Sequence, residues 1–159
     1  MHFSKKEIKS VRTRYFKQSS ISIGKPNGLW ISDEDDYGWK EWCRDNEFAR
    51  SRFVHAYHID LNPEAKVLHL KTVQEIDAFT EKYGIGMMKM LGIEGREDLM
   101  GGLGFINWKK VRRSYGGIII SPYQYARRLH PQTHWYYGWD CASGCIWSKK
   151  AIKHIEEMT

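Results

Sequence analysis

KPNGLWISDEDDYGWKEWC, residues 25–43, is the stretch whose division decides the fold. Pro26 fixes its own φ and biases Lys25 toward extended backbone, and Gly28 can supply a φ > 0 position that other residues avoid. Leu29, Trp30 and Ile31 form a short apolar run closed by Ser32, which predicts a strand. The acids of residues 33–36 then predict a turn, with Asp35 or Asp36 as N-cap of a helix that carries Trp39, Trp42 and Cys43 on one face. Two readings fit this strand–turn–helix unit. The tryptophans serve the core, or the strand-end serine beside a helix start meets the edge of a sugar or phosphate.

Outward from there, short strands alternate with short helices. Residues 1–4 predict an opening strand, and 5–17 a short helix or irregular basic segment. Residues 19–24 are Ser-rich and predict loop or edge strand. The clearest strand signal covers residues 48–61, where FVHAYHIDL (53–61) alternates in part, and it is ended by Asn62 and Pro63. KVLHL, 66–70, is the next strand, so 53–70 predicts a hairpin. Thr72 with Glu75 three residues on is a capping-box pattern, opening a helix to about Tyr83 that Gly84 stops. Residues 84–104 mix glycine and methionine and predict a flexible insertion. Trp108 and Val111 in helical register sit behind a basic face of Lys109, Lys110, Arg112 and Arg113. Ile118, Ile119 and Ile120 predict a buried central strand. Residues 123–129 predict a short helix or turn, 143–147 a strand and 148–157 a polar C-terminal helix. The expectation is one α+β domain over residues 1–159.

That length is enough for one hydrophobic core. Seven Trp and nine Tyr suggest a well-packed interior and a stacking site for a flat ligand. The net charge of +6 favours an anionic partner, although it also suits simple solubility. No run of about 18 apolar residues is present, so no membrane-spanning helix is expected. The charged start lacks the apolar core of a secretory signal. With three cysteines, an odd number, the expected compartment is a reducing cytoplasm.

Several constellations offer chemistry. His130, His134, Cys141 and Cys145 have ligand types suited to zinc, at a spacing that matches no common finger. The acids at 33–36 lack the glycine and distal glutamate of a calcium loop. G-x-G at 84–86 and G-G-x-G at 101–104 stand outside a dinucleotide-fold context. The three cysteines have no local nucleophile signature. The cluster at 109–113 and the pair Arg127 and Arg128 can meet phosphates or form a solvated face.

In order along the chain, His2-Phe3-Ser4 resembles the H-x-[ST] motif of the small ADP-ribosyltransferase fold. Gly28-Leu29-Trp30-Ile31-Ser32 is similar to that family's second motif, a strand ending in a hydroxyl and leading to a helix. For its third motif, an acid on a late strand or turn, Asp140 in WYYGWDCASGCIW takes the place, since YGGIIISPY carries isoleucine there. The pattern is also similar to small bacteriophage proteins. The resemblance implies split antiparallel sheets with flanking helices, NAD as cofactor, and transfer of ADP-ribose to a nucleic acid or protein target. It implies Asp140 and His2 as catalytic residues, and His2, Ser4, Gly28, Trp30, Ser32, Tyr136 and Trp139 as the NAD-binding set.

Cleaving the nicotinamide–ribose bond develops positive charge on the ribose, which a carboxylate stabilises. Ribose hydroxyls need polar partners, and nicotinamide needs a ring to stack on. The rival expectation is a non-enzymatic basic module. It would bind nucleic acid or an acidic host protein through the residues at 109–113 and 127–128, with Trp108, Tyr115 and Tyr123 stacking bases.

Overall fold

The computed structural model describes residues 1–10, 16–18, 24–48, 53–86 and 104–158. The expected insertion at 84–104 falls mostly outside the described residues. Among the described residues, nine strands and four α-helices follow one another as β1 (His2–Ser4), β2 (Leu29–Ser32), α1 (Trp39–Asp45), β3 (His55–Leu61), β4 (Val67–Leu70), α2 (Val73–Tyr83), β5 (Gly84–Ile85), β6 (Phe105–Ile106), α3 (Trp108–Arg112), β7 (Gly117–Ile120), α4 (Tyr125–Arg128), β8 (Ser143–Ile146) and β9 (Ile152–Glu157). A 3₁₀ segment, Pro131–Gly138, links α4 to β8. The chain is thus mixed α+β, with small sheets flanked by helices.

A three-stranded sheet runs β1-β3-β9 and a four-stranded sheet β2-β8-β7-β4, while β5 and β6 form a small pair. Register explains how the four-stranded sheet makes its core. Trp30, Cys145, Ile118 and Leu68 lie in one row, and Ser32, Ser143, Ile120 and Leu70 in another two residues on. Side chains two apart share a face. That face packs against Ile76 and Phe79 of α2, Trp108 and Val111 of α3, and Trp135 and Trp139 around the 3₁₀ segment. Glycine lets the strands approach. A Cβ on Gly28 would lie 2.5 Å from Ile146 O, and one on Gly144 2.5 Å from Ile118 O. Gly28 is therefore required for close approach; among the described glycines the positive φ belongs to Gly24.

Where local signals are self-contained, expectation and structure agree. The Thr72 side chain accepts from Glu75 N, and the Glu75 carboxylate accepts from Thr72 N at 3.1 Å, closing the capping box on α2. Three expectations are corrected. The strands at 53–61 and 67–70 are not a hairpin: β3 pairs with β1 and β9, while β4 pairs parallel with β7. The sheets are accordingly not wholly antiparallel. The C-terminal segment is no helix but strand β9, which supplies the open edge of β3 with backbone partners. Neither Asp35 nor Asp36 caps α1; Gly38 holds that position, and Asp36 instead accepts from Tyr123 N at 2.8 Å.

The two larger sheets meet through edge strands. Ser32 N donates to Met1 O at 2.6 Å, and His2 Nδ1 lies 2.6 Å from Trp30 O. This join of β1 to β2 positions the site.

Candidate functional site

A cavity of ≈ 240 Å³ opens at the join. His2 and Phe3 come from β1, Trp30 and Ser32 from β2, Trp39 from the start of α1, Asp140 from the approach to β8 and Ser143 from its first position. Lys25 and Cys141 complete much of the wall.

His2 has a defined hydrogen-bonding state. Burial holds its pKa below the ordinary histidine value, so it is neutral at pH 7. A carbonyl oxygen only accepts, so Nδ1 carries the hydrogen that goes to Trp30 O. Nε2 is left with a lone pair for a ligand donor.

Ser32 is similarly committed. Its hydroxyl donates to a Glu34 carboxylate oxygen and accepts from Trp39 N at 2.6 Å. One lone pair of Oγ remains. Asp140 receives Arg128 on one oxygen at 3.1 Å and has Lys25 Nζ 3.8 Å from the other. Lys25 Nζ also stands 5.0 Å from the centre of the Trp30 ring. His2, Ser32 and Asp140 therefore present acceptors, which suit a ligand that donates hydroxyl hydrogens, and Lys25 adds a cation suited to an anionic group. Burial pushes the Cys141 thiol up to about 12, so it is not a thiolate nucleophile at neutral pH.

Four of the eight expected site residues line this cavity: His2, Trp30, Ser32 and Asp140. Four do not. Ser4 lies outside it and donates to Lys6 O at 2.6 Å. Gly28 packs against β8. Tyr136 and Trp139 are corrected as stacking residues, because both are fully buried. The 3₁₀ segment turns them inward, where Trp139 packs edge-on to Trp30 at 4.9 Å. The half-buried aromatic rings of the cavity wall are Phe3, Trp30 and Trp39, the last stacked at 5.0 Å and 10° on Trp42.

Sequence reasoning overlooked Lys25, Trp39 and Ser143 as site residues. Trp39 had a signal in its position just after Ser32 and the acidic turn. Ser143 had none, since only the β2–β8 register sets it opposite Ser32. The four zinc candidates do not assemble: among the described residues no group of three His, Cys, Asp or Glu side chains is placed to hold a metal ion. Nor is any described helix long and apolar enough to cross a membrane.

No protein-family model matches the chain, and no curated protein or solved structure is significantly similar to it.

Proposed function

We propose that this chain is an ADP-ribosyltransferase-like domain that binds NAD in the cavity between β1 and β2 and transfers ADP-ribose to a nucleic acid or protein target. One observation carries the reading. His2, Ser32 and Asp140, far apart in sequence, present three acceptors to a single cavity with Trp30 and Trp39 in its wall. Ribose hydroxyls supply the matching donors, and nicotinamide supplies a flat ring. The cavity, at ≈ 240 Å³, falls below the roughly 300–1,000 Å³ that enclose a drug-sized ligand, so it suits the nicotinamide–ribose half of NAD. Lys25 at the rim is suited to the pyrophosphate. Asp140 is the carboxylate for the charge developing on the ribose, and Arg128 holds it in position. The buried thiols of Cys141 and Cys145 suit a reducing cytoplasm.

The test is calorimetry with NAD together with nicotinamide release. NAD binding should raise the melting temperature by mass action. His2→Ala should weaken NAD binding, whereas Asp140→Ala should leave most affinity and lower nicotinamide release by about 10²–10³-fold. Millimolar NAD that neither binds nor shifts the melting temperature would falsify the reading. If Asp140→Ala lowers only the melting temperature, that residue is structural.

A further inference from the structure

We infer that the end of the four-stranded sheet away from the cavity is a docking surface for duplex nucleic acid, engaged through the phosphate backbone. This concerns a second surface and does not rest on NAD binding. In the sheet register, Ser32, Ser143, Ile120 and Leu70 line up at the cavity end, and Leu29, Ile146, Gly117 and Val67 at the other. A four-residue strand separates the two ends by about 10 Å.

Separate stretches of chain bring cations to that second end. Gly116 N donates to Lys66 O at 2.8 Å, and Gly116 O accepts from Trp147 N and Ser148 N, beside Lys149 and Lys150. Gly116 itself follows α3, with Lys109, Arg112 and Arg113. Lys110 Nζ reaches Lys82 O at 3.1 Å, and both lysines stand over the Tyr83 ring. Across 62–66, 81–82, 107–116 and 148–151 there are eight Lys and Arg against two carboxylates, Glu64 and Glu81.

Lys66, Lys109, Arg112, Arg113, Lys149 and Lys150 are all exposed. Among the described residues, none of these six makes an ion pair. The rings that the rival sequence reading assigned to base stacking are otherwise employed. Trp108 is 1% exposed, Tyr115 is half-buried with its ring edge-on to Tyr83 at 6.5 Å, and Tyr123 donates its hydroxyl to Trp139 O. With cations outward and rings inward, recognition falls on phosphates rather than bases, and the regular phosphate spacing of a duplex suits it.

The experiment is fluorescence anisotropy with a labelled 20-base-pair duplex, a single-stranded 20-mer and a poly-glutamate of similar length as probes. With about six phosphates engaged, duplex affinity should fall about 10³-fold between 50 and 200 mM salt, a log–log slope near −5. Replacing Lys109, Arg113, Lys149 and Lys150 together by Gln should bring the slope to about −2. The two Gln pairs made separately should each remove about 2 of it, which covers poor folding of the fourfold variant. An NAD-induced melting shift retained in these variants separates this surface from the cavity. No duplex binding at 50 mM salt, or affinity indifferent to salt, overturns the proposal. So does poly-glutamate bound as tightly as the duplex, which marks an acidic protein partner. Single strands bound tenfold more tightly than duplex also overturn it.

Discussion

Where Ser32, Ser143, Ile120 and Leu70 line up, the four-stranded sheet ends in a cavity and an acidic turn. Where Leu29, Ile146, Gly117 and Val67 line up, the same four strands end among exposed cations. Residues 33–47 carry seven carboxylates and two cations, the reverse of the balance at the far end. The ends also differ in how their charges are employed. Asp33 accepts from Ser121 Oγ at 2.6 Å, Asp36 from Tyr123 N and Glu34 from Ser32 Oγ, while Asp140 lies between Arg128 and Lys25. These carboxylates tie loops to strands and shape the cavity. The six exposed cations opposite form no such ties among the described residues. A charge committed internally builds a site, whereas one left in water remains available to a partner.

The comparison fails most completely if its shared frame is broken. Gly144→Val would push a side chain into β7, since even a Cβ would stand 2.5 Å from Ile118 O. A loss of about 3 kcal/mol is expected, a drop of roughly 10 °C in melting temperature, with binding at both ends lost together. Loss at one end alone would show that the ends do not depend on a common sheet.

Ser32→Ala acts on the cavity end only. It leaves Trp39 N and the Glu34 carboxylate without a shared partner, so thermal denaturation should report a cost of about 1 kcal/mol. Duplex binding should keep its salt slope.

Acid should also weaken the cavity end. Burial lowers the pKa of His2 in the folded chain, so the unfolded chain takes up the proton first. The stability contributed by neutral His2 is fully present above the ordinary value of 6.5 and is lost as pH falls below it toward the folded value. His69 is shifted the same way, by burial and then Lys71. Melting temperatures should therefore fall between pH 7.5 and pH 5.5, and by less in His2→Ala. An equal fall in both proteins would remove His2 from this role. Smallest of all is the stability effect of Lys149→Gln with Lys150→Gln, expected within about 0.5 kcal/mol because both side chains are exposed. A larger loss would mean that these lysines are structural.

The sequence by itself determined what depends on a few neighbouring residues. Thr72 and Glu75 specify the start of α2 because both partners of the capping box lie within one turn. Leu29 to Ser32 and Ile118 to Ile120 reveal strands by composition and length. Tertiary structure decided which strands pair. Nothing local states that β4 runs parallel to β7, or that the polar segment after residue 151 becomes the outer strand on β3, because unpaired backbone edges are satisfied by distant chain. The site divides in the same way. His2, Ser32 and Asp140 were visible as residue types suited to a ribose, but their meeting in one cavity follows from joining β1 to β2 and β2 to β8. Tyr136 and Trp139 looked equally suited to stacking, and only the packing of the 3₁₀ segment assigned them to the core. An aromatic ring serves a core and a ligand by the same apolar burial, so only three-dimensional packing separates the two.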